Sequence, residues 1–490
     1  MSAPLWTIAE LIAASGGALD RHTRCAVDIR LPDAITGISI DTRSLAPGEL
    51  FVALKDQRDG HEFVPNAFKA EAGAALVAQT YERQPGDGVL IRVPAVLEAL
   101  EGIGRTARGR LNSEARVIAV TGSAGKTSTK EMLRACLERA APGRVHASTK
   151  SFNNHWGVPL TLARMPRDTR YAVLEIGMNH AGEITPLSKM VRPHVAIITT
   201  VEAVHLEHFA SVEEIADAKA EIFAGLEGQG EGSVGTNGTA ILNRYNPHFE
   251  RLRAAAALRG CKVVSFGEHS QADVRLVGVD HGHVKGGTIV IATVRGEHVD
   301  YHLGAIGHHF ALNSLAVVAT LEAVGAPLWP SISALADTHA PTGRGDRTVL
   351  ACDGGELLLI DESYNANPAS MRAALTAMAT APRERWRRRI AVLGDMLELG
   401  PKAGDLHRGL KEAIDAAGVD LVFAAGPMMQ QLYDELPATK QGRWAETSER
   451  LREPLLGEVR AGDAVKIKGS NGSRMGLLVQ ALKNRGRTVG

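Results

Sequence analysis

The stretch Val117-Ile118-Ala119-Val120-Thr121-Gly122-Ser123-Ala124-Gly125-Lys126-Thr127 decides the fold. A β-branched strand runs into a glycine turn, and a helix-like stretch from Ser128 to Ala140 follows. Glycines let backbone N–H groups close around phosphate oxygens. The helix N-terminus adds a favourable dipole, Lys126 a positive charge and Thr127 a hydroxyl suited to Mg²⁺. The loop is a short GxxGKT, because position 120 of the longer GxxxxGK[ST] pattern is Val. Nucleoside triphosphate binding by Gly122, Ser123, Ala124, Gly125, Lys126, Thr127 and Ser128 is the expectation.

Working outward, strand–helix alternation continues from Arg116, which predicts a parallel sheet with crossover helices. Tyr171 to Leu174 ends at Glu175, and Val195 to Ile198 ends at Thr199-Thr200, five residues before His205. Between about Lys262 and Leu303, short segments rich in Val and Gly predict antiparallel strands, read as a small subsheet. Ala340-Pro341-Thr342-Gly343 reads as a linker. Beyond it, strands ending at Asp361, Gly394-Asp395, Gly426 and Gly469-Ser470 predict a second open α/β sheet. Ligands of such sheets sit at the carboxyl ends of the strands. The first ~112 residues mix short strands with turns, and a helical stretch from Leu97 to Leu111 closes them. A chain of 490 residues suits about three domains at roughly 150 residues each. The expected division is 1–112, 113–340 and 341–490, all of α/β class.

Composition excludes several partners. Lys plus Arg and Asp plus Glu both number 55, so the formal net charge is zero. Nucleic acids and anionic membranes select basic proteins, so neither is expected. No apolar run approaches the 18 or so residues of a membrane span, and the first residues lack the basic start of a signal peptide. Cys25, Cys136, Cys261 and Cys352 are scattered without CxxC or Cys/His clusters. A reducing cytosol fits them best, with no zinc site and no disulfide framework.

Other residues stand out by position. Glu175, at a strand end beside the phosphate loop, is placed to hold Mg²⁺. Ser211 with Glu214 matches a capping box, and the helix it starts carries Lys219 in the middle of its apolar stripe. That lysine either snorkels outward or has a chemical task, because burying an unpaired ammonium is costly. His309 and Asn313 are four apart and share a helix face. Arg344 follows the linker, where it reads as a surface arginine or as a cation able to swing onto a γ-phosphate. The run Arg383 to Arg389 with Trp386 reads as a solvated face. Asn367 with Pro368 makes a good helix start, but capping leaves Asp361, Tyr364 and Asn365 without a structural reason.

The chain resembles the Mur ligases, and the resemblance spans nearly its whole length. It rests on Asp41-Thr42-Arg43-Ser44, Pro47 to Leu54, Thr121 to Thr127, Asn153-Asn154, Leu174 to His180, His205-Leu206-Glu207, Ala218 to Phe223 and His309 to Asn313. It closes with Tyr364-Asn365-Ala366-Asn367-Pro368, Leu393-Gly394-Asp395-Met396 and Lys468-Gly469-Ser470. The Asn-Asn, YNANP and LGDM motifs point to the branch that joins D-alanyl-D-alanine to UDP-N-acetylmuramoyl-tripeptide in peptidoglycan precursor synthesis.

The resemblance implies an N-terminal mixed α/β domain binding the UDP part and a central P-loop ATPase domain. It also implies a C-terminal Rossmann-like domain for the incoming D-Ala-D-Ala. It implies ATP, one or two Mg²⁺, and a cytoplasmic monomer. Lys126 would grip the β/γ-phosphates. Thr127 and Glu175 would hold Mg²⁺, and His205 with a carbamylated Lys219 would serve a second ion, which gives the lysine on the apolar stripe its task. Asn313 would contact adenine, Arg344 the γ-phosphate and Asp361 the ribose. Ser39, Asp41, Thr42, Arg43 and Ser44 would bind the uridine diphosphate part, with Asn153 and Asn154 near the muramoyl-peptide. Tyr364, Asn365 and Lys468 would face the dipeptide. One departure is Lys468-Gly469-Ser470-Asn471-Gly472-Ser473-Arg474, where the family more often runs from KGS directly to Arg. A related ligase with another acceptor keeps the chemistry but not the YNANP motif. A kinase explains the phosphate loop but neither Lys219 nor the second sheet, and a non-catalytic UDP-sugar binder explains only the first ~112 residues.

Overall fold

The computed structural model describes residues 4–20, 31–32, 34–149, 151–204, 206–227, 238–280 and 287–488. Cys25 and His205 lie outside the described residues. Three sheets follow one another along the chain. The first contains β1 (Ala18–Leu19), β2 (Ile38–Ser39), β3 (Leu50–Val52), β4 (Ala74–Ala78) and β5 (Leu90–Val93), in the order β1-β5-β4-β3-β2. All its pairings are parallel except β1 with β5.

The second sheet is built from β6 (Arg116–Thr121), β7 (Val145–Ala147), β8 (Tyr171–Glu175), β9 (Val195–Ile198), β10 (Thr239–Asn243), β11 (Lys262–Gly267), β12 (Val274–Asp280), β13 (Thr288–Val294) and β14 (Glu297–Leu303). Its order is β14-β13-β12-β11-β10-β9-β6-β8-β7. Strand β6 lies between β8 and β9, so the chain leaves it toward one side and later returns on the other. A crevice opens at such a switch point, and the phosphate loop occupies it. The segments after Lys262 are not a separate subsheet. Strand β11 runs parallel to β10 and to β12, and the antiparallel β12-β13-β14 extends the same sheet. The long helix His308–Ala323 explains this continuity. Its Phe310, Leu315, Val317, Val318 and Leu321 are buried together with Val290, Val299 and Leu303. Each such side chain stabilises the fold by about 1.5–3 kcal/mol.

The third sheet comprises β15 (Asp346–Cys352), β16 (Gly355–Glu362), β17 (Arg388–Gly394), β18 (Leu421–Ala425), β19 (Gln441–Ala445), β20 (Asp463–Lys468) and β21 (Arg487–Thr488), ordered β19-β18-β17-β20-β16-β15-β21. The five strands from β19 to β16 are parallel, and β15 and β21 add antiparallel edges. The arginine run leads into β17. Arg383 pairs with Asp420, Arg385 with Glu356, and Arg388 with Asp463 and Glu458. Trp386 does not join the solvated face: it is buried with Leu358, Ile360 and Ala464.

The first sheet is fixed to the second through the helix Val96–Gly109, which packs on the helix Gly157–Ala163. Buried Trp6 donates from its indole to Ala163 O at 2.8 Å. Arg110 donates to Leu5 O (2.9 Å) and Met165 O (2.8 Å), and Arg108 to Val191 O (2.8 Å) and Arg192 O (2.7 Å). Between the second and third sheets the chain passes once, through residues 338–345. There Gly345 N donates to Asp361 O and Tyr364 N to Gly343 O. Among the described residues no helix is long and apolar enough to cross a membrane, and Cys136, Cys261 and Cys352 are free thiols.

Candidate active site

The phosphate loop takes its shape from two glycines. Gly122 (φ +148°) lies so close to Thr199 that a Cβ would sit 1.9 Å from its Oγ1. Gly125 is left-handed (φ +83°), and a Cβ there would stand 2.8 Å from the side-chain nitrogen of Asn313. The helix Lys126–Ala140 starts at once, so its free N–H groups and positive dipole end face the loop. Lys126 Nζ donates to Gly122 O at 2.7 Å. Burial lowers the pKa of this ammonium, with Glu175 opposing and Arg344 reinforcing the shift.

Glu175 ends β8 and is buried. Its Oε2 accepts from Thr127 Oγ1 at 2.9 Å, and its Oε1 accepts from Asn153 Nδ2 at 2.8 Å. Its backbone N–H donates to Ser148 Oγ at 3.1 Å, and Ser148 O accepts from fully buried Lys130 at 2.6 Å. Thr127 and Glu175 thus form a prearranged pair of hard oxygen donors, which suits Mg²⁺. Among the described residues no three His, Cys, Asp or Glu gather into a cation site of their own.

Lys219 stands near the end of the helix Val212–Ala220 and is 2 % exposed. It does not snorkel. Burial drops its pKa well below the ordinary lysine range, and the charge of Lys126 pushes it the same way. No described residue pairs with it. Ser211 caps this helix by accepting from Glu214 N at 3.2 Å. The capping box is only half made, because the Glu214 carboxylate accepts from Ala210 N.

A cleft of about 320 Å³ lies between the phosphate loop and the third sheet. Ser123, Ala124, Gly125, Lys126, Ser128, Asn153, Glu175 and Arg344 line it together with Tyr364, Asn365 and Lys468. Arg344 lies 4.2 Å over the ring of Tyr364, and both also wall a second cavity of about 590 Å³ with Thr127, Arg134 and Pro341. Gly122 does not line the cleft and Asn313 is buried behind the loop. Asp361 faces a third cavity with Arg474 and Gln480, and its Oδ1 accepts from Ser363 N (3.0 Å) and Oγ (2.6 Å). Asn154 Oδ1 accepts from Gly157 N at 2.9 Å just ahead of the helix Gly157–Ala163. The 39–44 loop contributes nothing to the cleft and is tied to itself. Ser39 Oγ and Ser44 Oγ donate to Asp41 O, and Arg43 pairs with Asp41 at 2.7 Å. Thr42 lies in this same turn.

Two neighbours of the cleft were not foreseen: Glu362 lines it, and Lys466 lies directly beneath Glu362. His309, singled out with Asn313 on its helix face, lines the cleft as well. Burial pushes His309 down to about 4, so its imidazole is neutral near pH 7. Asn367 behaves as expected: its side chain accepts from Ser370 N at 2.7 Å ahead of the helix Pro368–Met378. The residues inserted after Ser470 form one short turn, Asn471–Ser473, which leaves Arg474 left-handed and paired with Glu449 at 2.7 Å.

Residues 120–321 match the family profile described as Mur ligase middle domain, and residues 347–471 match Mur ligase, glutamate ligase domain. Over 468 residues the chain is 35% identical to UDP-N-acetylmuramoyl-tripeptide–D-alanyl-D-alanine ligase of Escherichia coli (strain K12), covering 94% of this chain and 95% of the relative. The chain belongs to the Mur ligase family. The Bacillus subtilis (strain 168) enzyme of the same name is 32% identical to this Mur ligase over 91% of the chain and 93% of its own length. The crystal structure of MurF from Acinetobacter baumannii superposes with a TM-score of 0.80 at 28% identity, covering 98% of this chain and 99% of that one. MurF ligase from Thermotoga maritima in complex with ADP shares the fold of this Mur ligase, with a TM-score of 0.73 at 24% identity over 92% and 97% of the two chains.

Proposed function

We propose that this Mur ligase uses ATP to join D-alanyl-D-alanine to UDP-N-acetylmuramoyl-tripeptide, a cytoplasmic step of peptidoglycan precursor synthesis. The observation that carries the reading is the single cleft with the phosphate loop on one wall and Tyr364, Asn365 and Lys468 on the other. The whole-length likeness to relatives named for this reaction supports the choice of acceptor. In this reading residues 1–112 hold the UDP-muramoyl part through the 39–44 loop, residues 113–340 hold ATP, and residues 341–490 hold the dipeptide.

A carboxylate oxygen of the tripeptide attacks the γ-phosphorus and ADP leaves, giving an acyl phosphate. The dipeptide amine then attacks the acyl carbon; phosphate leaves and the nitrogen gives up a proton. Lys126 and the helix N-terminus stabilise charge on the transferring phosphoryl group, and Arg344 reaches it from the third-sheet side. Mg²⁺, when bound, neutralises phosphate charge beside Thr127 and Glu175. Asn153 holds the Glu175 carboxylate in place. Asn313 and Asp361 take the adenine and ribose. Lys219, whose ammonium burial disfavours, would add CO₂ and lose a proton to solvent to become a carbamate, a carboxylate-like group that with His205 would hold a second ion. The enzyme works as a monomer.

The test is phosphate release from ATP with UDP-N-acetylmuramoyl-tripeptide present, comparing D-Ala-D-Ala with single amino acids. Release only with the dipeptide, and a product heavier by one dipeptide less water, is expected. Release with a single amino acid instead moves the enzyme to another branch of the family.

A further inference from the structure

Strand β20 lies between β16 and β17, and all six of its residues are buried. Lys466 and Lys468 are two apart on it, so both point to one face. Glu362, which pairs in register with Lys468 across β16, supplies one carboxylate to the two ammonium groups. Lys466 Nζ is 2.9 Å from Glu362 Oε1 and also donates to Ala374 O at 2.6 Å. Lys468 Nζ lies 3.3 Å from Glu362 Oε2 and donates to Asn365 O at 2.9 Å. The lysine side chains are only 2 % and 6 % exposed. Burial would raise the pKa of Glu362, but Lys466 and Lys468 outweigh it and hold this carboxyl down at about 2.

The three groups carry one negative and two positive charges. His309, facing them, adds none near pH 7. A buried positive charge is left over, and Arg347, within electrostatic reach of Glu362 and Lys466, adds to it; a buried cation without its own anion is expensive. Of the two lysines only Lys468 reaches the cleft wall. Its position opposite the phosphate loop makes it a poor partner for the nucleotide phosphates, which have Lys126 and the helix N-terminus. A second anion does enter from the third-sheet side in the reaction above. It is the carboxylate end of the acceptor, which an extended dipeptide carries about 7 Å from its amine.

We propose, resting on the function assigned above, that Lys468 receives the C-terminal carboxylate of the incoming dipeptide and that Lys466 is a positioning residue. By neutralising Glu362 from beneath, Lys466 leaves the charge of Lys468 free for the ligand. Without it, Glu362 captures Lys468 for itself.

The experiment compares D-Ala-D-Ala with D-alanyl-D-alaninamide as acceptors in steady-state phosphate release. A charge-assisted hydrogen bond predicts a KM at least about 10-fold higher for the amide, with kcat changed less. Lys468→Gln raises the KM of the acid by that factor, removes the preference for acid over amide, and leaves the KM of ATP and of the nucleotide-tripeptide within about twofold. Lys466→Met lowers the preference below about threefold. The double variant Lys466→Met/Glu362→Gln brings it back above about 10-fold, because a neutral pair again leaves Lys468 uncompensated. A purely structural role for Lys466 predicts no such rescue. The preference is a ratio measured on one preparation, so a partly misfolded variant still reports it. A wild-type enzyme that turns over acid and amide alike overturns the inference while the proposed function stands. So does a Lys468→Gln variant whose loss falls on ATP or the nucleotide-tripeptide, a Lys466→Met variant with unchanged preference, or a double variant without rescue. A wild-type enzyme that ignores the dipeptide altogether overturns the proposed function, and this inference with it.

Discussion

Replacing Gly125 by alanine tests the geometry of the phosphate loop directly. The backbone there has φ +83°, and holding a residue with a Cβ in left-handed space costs about 1–2 kcal/mol. The new methyl would sit 2.8 Å from Asn313 Nδ2 and 2.9 Å from its Oδ1, and Asn313 is only 8% exposed. Forcing that overlap into a packed site costs about a further 1–3 kcal/mol. The expected loss is therefore about 2–5 kcal/mol, measured by urea unfolding with a probe in the second sheet. The two parts separate in a double-variant cycle. Asn313→Ala removes the collision but not the φ strain, so the Gly125→Ala loss should shrink by about 1–3 kcal/mol in that background. Stability of Gly125→Ala within 0.5 kcal/mol of wild type, or strict additivity of the two substitutions, would refute the reasoning.

Other outcomes follow from the same site and its supports. Lys126→Ala should abolish ATP-dependent ligation while circular dichroism and the unfolding midpoint stay close to wild type; retained turnover would remove Lys126 from the chemistry. Lys219→Ala should lose most activity and regain part of it with added short-chain carboxylic acids, and an absence of rescue would count against a carbamate. Burial holds His146 and His194 at about 4, against 6.5 in the unfolded chain. The unfolded state therefore takes up protons first on acidification, and the stability that both neutral imidazoles contribute above pH 6.5 is lost as pH falls through 4. His194→Asn should flatten the decline between pH 6.5 and 4 by up to about 1.4 kcal/mol per pH unit, and an unchanged slope would show that His194 does not titrate there.

Much of this was legible because local chemistry left few options. A β-branched strand, two glycines and a lysine before a helix specify the phosphate loop whatever surrounds them, and Asn367-Pro368 announces its helix without help. What stayed hidden depends on neighbours distant in the chain. Val465–Lys468 alternates apolar and polar residues like a half-exposed strand, yet the position of β20 between β16 and β17 buries both faces. Nothing local in the sequence marks Lys466 or its partner Glu362 as buried, since their burial comes from strands distant in the chain. Trp386 sits in an arginine-rich run, but its own position falls over Leu358 and Ile360. The strands after Lys262 showed their alternation but not that β11 pairs in parallel with β10, which joins them to the larger sheet. Asn153 carried a motif signal, but its bond to Glu175 belongs to the packing of a loop against the end of β8.

The joints between the three sheets have a bearing on inheritance. The first sheet is held by bonds from Trp6, Arg108 and Arg110 to carbonyls of Ala163, Val191, Arg192 and Met165, whereas the third is joined through the short passage 338–345 and a backbone bond from Glu207 N to Glu398 O. A recombination event that exchanges the segment after residue 345 must preserve one connector, one backbone contact with Glu207 and one cleft wall. An exchange of the segment before residue 112 must also recreate, in a single step, donors matched to carbonyls encoded elsewhere in the gene. The third sheet is thus the more transferable part of this architecture, and the N-terminal sheet should track the ancestry of the central one.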